Sequence, residues 1–405
     1  MHQQQRHGGR RQAGNPRGLT QGFGAHVAQA LPDFVRQSTD FAIIDIFRQA
    51  QFFIAALTLD LVVLTPEIPR VLRCDVDLQF DLCGQALVAA PMQGWGKRPG
   101  FRRNHAKGVC VTGWFESSGQ AATLSKAAVF RPGRVPLVGR FALAGGMPFQ
   151  TDALLTVRSM ALRFLPPGGE EWRTGMNNIP VFAVNSARGF YEQLLASSPD
   201  PATGKPDPAR MKAFMAAHPE TVRALSLIKK REVSSGFANS TFNSLNAFRF
   251  VDVAGAPTSV RWSTVPVQPS AADSAEPSAA GDKNYLFDDL IAQIAQHPQQ
   301  WRLIMTIGQA DDPTNDATLP WPEGREQIDA GTITIDQASS EDSGRCTAVN
   351  YDPLVLPSGI EPSDDPLLSA RSAVYARSFT LRAEEEHEKH PSAVTAQEVQ
   401  AGGKL

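Results

Sequence analysis

The sequence predicts an α+β fold built on a closed antiparallel sheet. After residue 97, short apolar runs rich in β-branched and aromatic residues recur, and Gly, Pro, Asp or Asn flank them as they flank strands. Helical patterns lie between these runs, chiefly at residues 210–227 and 285–295. Many strands with inserted helices are typical of an antiparallel sheet that closes on itself.

The predicted strands follow one another along the chain at 109–115, 160–164, 179–184, 247–251, 259–262, 301–307 and 331–335. Between two of them, residues 270–281 (SAADSAEPSAAG) have the composition of a flexible surface loop. The charge run AEEEHEKH begins at Ala383 and predicts a solvated, disordered tail over residues 384–405.

Composition divides the chain near residue 97. Residues 1–96 contain no Lys, no Tyr and one Glu, whereas Lys and Glu are frequent after that point. Such a shift suggests a boundary, so we expect an atypical amino-terminal extension over residues 1–96 and one main domain over residues 97–383. The extension is interpreted as a helical module, a poorly ordered segment, or DNA translated upstream of the true start.

Charge and hydropathy exclude several classes of protein. Lys plus Arg total 39 against 41 for Asp plus Glu, and this balance does not suit a general nucleic-acid binder. The apolar stretch 41–64 is interrupted by three charged residues, so a buried or partner-facing helix is expected there rather than a membrane span. No apolar segment of a secretory signal follows the basic start; cytoplasm is therefore the default expectation, with periplasm as the alternative if the true start differs.

The four cysteines show neither a CxxC pair nor a spacing suited to zinc: they are Cys74, Cys83, Cys110 and Cys346. We expect isolated packed or surface thiols.

Three short patterns carry residues suited to chemistry. His105 stands in RRNHAKGVCV directly before a predicted strand, and Asn177 begins NNIPVF. Tyr375 follows Arg371 by one helical turn, and an adjacent guanidinium favours the phenolate, a hard ligand for ferric iron. Each pattern alone is common, and a capping, turn or packing role remains open for each.

Together and in this order, the motifs resemble the haem catalase superfamily, and in particular its small catalase-related peroxidases. The resemblance runs from about Pro99 to Arg382, and its landmarks are RRNHAKGV, GRF, RSMALRF, NNIPVF, YDPLVLPSGIEPSDDPLL and ARSAVYARSFTLR. It implies a barrel of eight antiparallel strands, haem b (iron protoporphyrin IX) as cofactor, and a haem-ligating tyrosine on a late helix.

The resemblance also implies roles for single residues. His105 and Asn177 match the distal catalytic pair, and Tyr375 matches the axial haem ligand with Arg371 as its charge partner. The remaining matches are to haem-contacting positions, namely Arg102, Arg140 and Arg382 at the propionates or proximal side, and Phe182 and Phe190 in the pocket and channel.

Two positions depart from the family pattern. Ala142 stands where a serine hydrogen-bonds the distal histidine, and Thr156 stands where an acidic residue is expected near the channel. Both departures weaken the oxygen-releasing reaction of a catalase. We therefore predict an oxidoreductase for oxidative-stress defence, which reduces hydrogen peroxide or organic peroxides with a small organic electron donor and has weak catalase activity.

Other functions stay open at this point. They are a true small-subunit catalase, a haem-dependent fatty-acid hydroperoxide enzyme such as an allene oxide synthase, and a non-enzymatic protein that stores or senses haem. No nucleic-acid partner is expected, and self-association into a homo-oligomer is left open.

Overall fold

The computed structural model describes residues 98–200, 202–268, 283–385 and 390–402, and within these ranges the backbone forms ten strands and six α-helices. All of these residues belong to one compact unit, Ile68–Leu405. The predicted extension (1–96), its apolar stretch (41–64) and the predicted loop at 270–281 lie outside the described residues.

The strands are β1 (Gly108–Ser117), β2 (Gly133–Leu143), β3 (Arg158–Phe164), β4 (Trp172–Asn177), β5 (Phe242–Asn243), β6 (Phe248–Val251), β7 (Pro257–Pro266), β8 (Gln299–Ile307), β9 (Gln327–Ser339) and β10 (Ile360–Pro362). The helices are α1 (Ala187–Ser197), α2 (Pro208–Ala217), α3 (Pro219–Lys230), α4 (Tyr285–Gln296), α5 (Pro366–Glu385) and α6 (Ala396–Gly402).

Eight of the strands close into a ring. The hydrogen-bonded order runs β7-β5-β4-β3-β2-β1-β9-β8, and β8 pairs back onto β7. All of these pairings are antiparallel, while β6 and β10 extend the sheet beside β7. The predicted closed antiparallel barrel of eight strands is confirmed.

The strands have two unlike faces, because successive side chains of a strand point to opposite sides of the sheet. On β3, Met160, Leu162 and Phe164 are fully buried in the core of the barrel, where Phe164 stacks on Trp172 with ring centroids 4.8 Å apart. The alternate residues Ser159 and Ala161 lie on the opposite face and line a cavity. One strand therefore contributes to both the core and the cavity.

Two local predictions differ from the structure. Residues 179–184 form no strand, and Pro180, which lacks an amide proton for a sheet ladder, accounts for this. The helix predicted over 210–227 is two helices, α2 and α3, which meet at His218 because Pro219 cannot continue the hydrogen bonds of α2. The helix predicted at 285–295 is confirmed as α4.

The carboxy-terminal tail also differs from the expected disorder. Val394 is fully buried in the core, and α6 follows it. Asn284, at the start of α4, donates a 2.6 Å hydrogen bond to Glu398 of α6. Charged residues dominate the composition of the tail, and this composition predicted disorder. The apolar pair Ala393–Val394 nevertheless attaches the tail to the barrel.

Among the helices that the structure describes, none has both the length and the apolar character needed to cross a membrane.

Candidate active site

A cavity that is partly open to solvent lies between one face of β2–β4 and helix α5. Eight of the nine residues singled out in the sequence line it: Arg102, His105, Arg140, Asn177, Phe182, Phe190, Arg371 and Tyr375. The ninth, Arg382, is buried beside it and lies 5.3 Å from the ring of Phe379, which lines the cavity. The fold thus gathers residues that are up to 273 positions apart, since 375 minus 102 is 273.

Small residues form the floor of this cavity. Ala161 and Gly175 are direct cross-strand partners on β3 and β4, and both line the cavity. A Cβ atom on Gly175 would lie 3.4 Å from the Tyr375 hydroxyl and 3.6 Å from an Arg371 nitrogen. Gly175 therefore marks where the tyrosine and the arginine of α5 approach the sheet.

The backbone of His105 is held in an unusual conformation. Its φ angle is 54°, a left-handed value that costs about 1–3 kcal/mol in a residue other than glycine. The amide of His105 donates a 2.9 Å hydrogen bond to the side chain of Asn104, and Arg140 donates a 2.8 Å hydrogen bond to its carbonyl. These contacts fix the histidine where the chain enters β1.

The environment of the His105 imidazole favours its neutral form. Burial, and then the positive charges of Arg140, Arg371 and Arg102, lower its pKa to about 3, against a smaller opposing effect of a backbone hydrogen bond at Leu143. The side chain is therefore an uncharged proton acceptor at neutral pH.

Ser159 is a site residue that sequence reasoning missed. Its hydroxyl oxygen lies 3.2 Å from Nδ1 of His105. The sequence suggested that Ala142 leaves the histidine without a hydroxyl partner, and the structure supplies one from the neighbouring strand. The signal was present in RSMALRF, where Ser159 falls on the cavity face by strand periodicity.

Arg140 is engaged by a partner that the sequence did not reveal. Its Nε and Nη2 donate to the two carboxylate oxygens of Glu341 at 2.8 and 2.9 Å, and both side chains are buried. Burial alone raises the pKa of Glu341, but the charge and hydrogen bonds of Arg140 overcome it and lower that pKa. The resemblance implied that Arg140 contacts a propionate or supports the proximal side of the haem, and this stays a prediction; in the structure its guanidinium also supports the His105 loop.

Arg102 has the character of an anion-binding group. One of its terminal nitrogens donates to the carbonyls of Cys346 and Val349, both at 3.1 Å. Its Nε is buried and has no hydrogen-bond partner among the described residues. Burial, followed by the nearby charges of Arg382 and Arg140, lowers the pKa of Arg102 to about 9. A carboxylate next to Arg102 would accept a hydrogen bond from Nε and would stabilise the charged form of the guanidinium.

Tyr375 lies on α5 one turn after Arg371, as the sequence predicted. Arg371 donates to the Asn246 side-chain oxygen and, at 3.4 Å, to the carbonyl of Gly175. Asn246 in turn donates a 2.8 Å hydrogen bond to Asp365. This chain of contacts holds the guanidinium beside the tyrosine, and Asn246 had no sequence signal that distinguished it from other loop asparagines.

The expectation of isolated thiols is wrong for two cysteines, because Cys110 and Cys346 form a disulfide across 236 residues of sequence. Cys110 lies on β1 and pairs in register with Arg140 of β2. Cys346 accepts the hydrogen bond from Arg102. The bridge thus ties the segment that contacts Arg102 to the barrel; Cys74 and Cys83 lie outside the described residues.

Removing this bridge should destabilise the protein. For the double variant Cys110→Ser/Cys346→Ser, we expect a free energy of unfolding lower by roughly 2–5 kcal/mol, since the cross-link restricts the unfolded chain. Denaturant unfolding measures the change, with Cys74→Ser/Cys83→Ser as the matched control that keeps the bridge. Equal midpoints for both double variants, or no free-thiol difference between native and reduced protein, would contradict the prediction.

The residues present fit a flat group that carries carboxylates and an iron. Besides Arg102 Nε, the side-chain oxygen of Asn177 is buried in the cavity wall with no hydrogen-bond partner among the described residues. Guanidinium groups and a tyrosine hydroxyl face the cavity together with Phe182 and Phe190, whose ring centroids are 5.9 Å apart. Arginines suit carboxylates, tyrosinate suits ferric iron, and aromatic rings suit a macrocycle.

This chain is similar in sequence to proteins named catalase-related peroxidase and catalase. The chain is 38% identical over 296 residues to a catalase-related peroxidase of Synechococcus elongatus, covering 73% of this chain and 87% of that protein. It is 31% identical over 288 residues to a catalase-related peroxidase of Mycolicibacterium paratuberculosis, covering 71% of this chain and 90% of that protein. A catalase of Pseudomonas aeruginosa is 28% identical over 284 residues, and the match spans 55% of its length.

Solved structures share the fold. Catalase A from Saccharomyces cerevisiae superposes with a TM-score of 0.63 at 19% identity, covering 80% of this chain and 68% of that one. A bacterial catalase gives a TM-score of 0.62 at 21% identity, and the match spans 64% of its length. The family model described as Catalase matches residues 97–402. The chain therefore belongs to the catalase family, and this membership implies a haem cofactor.

Proposed function

We propose that this protein is a haem b-dependent peroxidase, which reduces hydrogen peroxide or an organic peroxide at the expense of a small organic electron donor. The observation that carries the proposal is one cavity that combines a neutral histidine, an asparagine and a tyrosine beside a guanidinium. Two relatives that are matched over 87% and 90% of their own length are named catalase-related peroxidases.

Three side chains would hold the cofactor. Tyr375 would ligate the iron through its hydroxyl oxygen, and the Arg371 guanidinium lies next to it at Gly175. Arg102, whose Nε is buried without a partner among the described residues, would bind a propionate. When bound, the haem supplies an iron centre that takes up oxidising equivalents from peroxide and delivers them to a donor.

The chain's own residues would handle the peroxide and its proton. The neutral His105 takes the proton from one peroxide oxygen and returns it to the other as the O–O bond breaks, which is general acid–base catalysis. Asn177 holds the peroxide through a side-chain hydrogen bond, so that the bond to be cleaved stays in place. Phe182 and Phe190 limit the water that reaches the reacting atoms.

The structure removes one of the two arguments against strong catalase activity. Ser159 places a hydroxyl at His105, so Ala142 no longer weakens the orientation of the histidine. Thr156 remains, and a threonine adds no negative charge to orient incoming peroxide. The preference for peroxidase over catalase activity therefore rests on the named relatives and on the neutral residue at position 156.

Oxygen release tests the proposal. The haem-loaded protein is given hydrogen peroxide with and without a phenolic donor, and oxygen and donor oxidation are recorded together. A peroxidase oxidises the donor rapidly and releases little oxygen. Vigorous oxygen release without donor would instead establish a small catalase.

We also propose that the protein works in an oxidising compartment, such as the periplasm, which is the alternative to the cytoplasmic expectation. The support is the buried Cys110–Cys346 bridge, since disulfides persist outside the reducing cytosol. Thiol alkylation in cell fractions tests this: protein trapped with the bridge intact in the exported fraction supports it, and reduced, active protein in the cytosol contradicts it.

A further inference from the structure

We propose that Ser159 is the positioning residue of His105, and that it selects the tautomer in which Nδ1 carries the proton and Nε2 is the free base. The inference rests on the proposed function of His105 in peroxide cleavage. It concerns a residue that the sequence pattern did not single out, on a different strand from the position where the family serine would stand.

The placement of Ser159 follows from sheet register. Ser159 pairs directly with Ala142 of β2 on one side and with Asn177 of β4 on the other. Directly paired residues project to the same face of a sheet, so these three lie in one row. A hydroxyl at residue 159 can therefore replace one at residue 142, because the two positions are neighbours across the ladder.

The proton count gives the tautomer. The Ser159 hydroxyl has one proton, and it lies 3.3 Å from the carbonyl of Ala142, which can only accept. A hydroxyl that donates to this carbonyl still has lone pairs, so at 3.2 Å it accepts a hydrogen bond from the Nδ1–H group of His105. The imidazole is neutral in this environment, and Nε2 is then its unprotonated nitrogen.

The hydrogen bond between Ser159 and His105 is shielded from water. Ser159 is 8% exposed, so water does not readily replace its hydroxyl. The histidine backbone is already held by Asn104 and Arg140, which leaves ring orientation and tautomer as the remaining freedoms. Besides the backbone hydrogen bond at Leu143, Ser159 is the side chain that acts on these two freedoms, and its effect on the reaction is exerted through His105.

The test uses Ser159→Ala, with Ala142→Ser added as the rescue and Ser240→Ala as the matched control. Ser240 is also a buried serine with hydrogen bonds, but it does not line the cavity. We expect Ser159→Ala to lower the rate constant for peroxide cleavage by roughly 2- to 12-fold, the equivalent of one net hydrogen bond. The double variant Ala142→Ser/Ser159→Ala should recover it.

A second readout does not depend on activity. In protein loaded with zinc protoporphyrin, a diamagnetic haem analogue, selective ¹⁵N labelling of histidine reports which ring nitrogen of His105 is protonated. Wild type and the rescue variant should show protonated Nδ1, and Ser159→Ala should show a mixture. An unchanged tautomer in Ser159→Ala overturns the proposal, since the backbone at Leu143 would then suffice.

The two readouts separate this proposal from the proposed function. If the tautomer shifts while wild-type protein does not react with peroxide, the positioning role of Ser159 stands and the peroxidase function fails. If peroxide reacts but Ser159→Ala changes neither the tautomer nor the rate constant, the proposed function stands and the positioning role fails.

Discussion

Replacing His105 with alanine should lower the rate constant for the reaction of peroxide with the haem-loaded protein by about 10²–10⁴-fold. The imidazole is partly buried and neutral, with a pKa lowered to about 3, so it accepts a proton throughout the neutral range. Without it, water must carry the proton between the peroxide oxygens, and the cavity is partly closed to water. Stopped-flow absorbance with excess peroxide measures this rate constant.

The matched control is His297→Ala. His297 is an exposed histidine at the end of α4 and does not line the cavity. Haem content should equal that of wild type in both variants, because His105 is not the proposed iron ligand. A His105→Ala protein that holds haem and reacts with peroxide at the wild-type rate would falsify the proposed acid–base role.

The sequence predicts this site well where local motifs carry it. His105, Asn177 and the Arg371–Tyr375 pair each stand in a short motif, and the structure gathers these motifs around one cavity. Strand alternation also predicts which side chains of RSMALRF enter the core, since large apolar residues occupy every second position. Local pattern and fold agree at these positions.

The remaining site residues depend on contacts between distant segments. Glu341 is 201 residues from Arg140, and Cys346 is 236 residues from Cys110, so no local spacing connects them. Ser159 contacts His105 because β2 and β3 are paired in one particular register, and a shift of one residue would turn it to the other face. A single sequence does not specify barrel register, and this limit explains why these partners were missed.

Replacing Tyr375 with phenylalanine should abolish stoichiometric haem binding and, with it, peroxide consumption. The change removes the hydroxyl oxygen that faces the cavity next to Arg371 and Gly175 and leaves the apolar contacts of the ring. Even partners that only orient a metal ligand contribute roughly 10- to 100-fold to affinity, so loss of the ligand itself should cost more. Titration of the apoprotein with haem, followed by absorbance, measures the affinity.

The comparison is with Tyr191→Phe and Arg371→Gln. Tyr191 lies on α1 outside the cavity lining and packs against Ala187 and Ala370, so its hydroxyl should be dispensable for haem. Arg371→Gln keeps the tyrosine but removes the guanidinium, and we expect weaker haem binding because the ligating oxygen loses the positive charge beside it. Wild-type affinity in Tyr375→Phe would assign the iron to another ligand. Because the haem-free proteins should unfold at similar temperatures, a loss confined to haem binding separates ligation from a general folding defect.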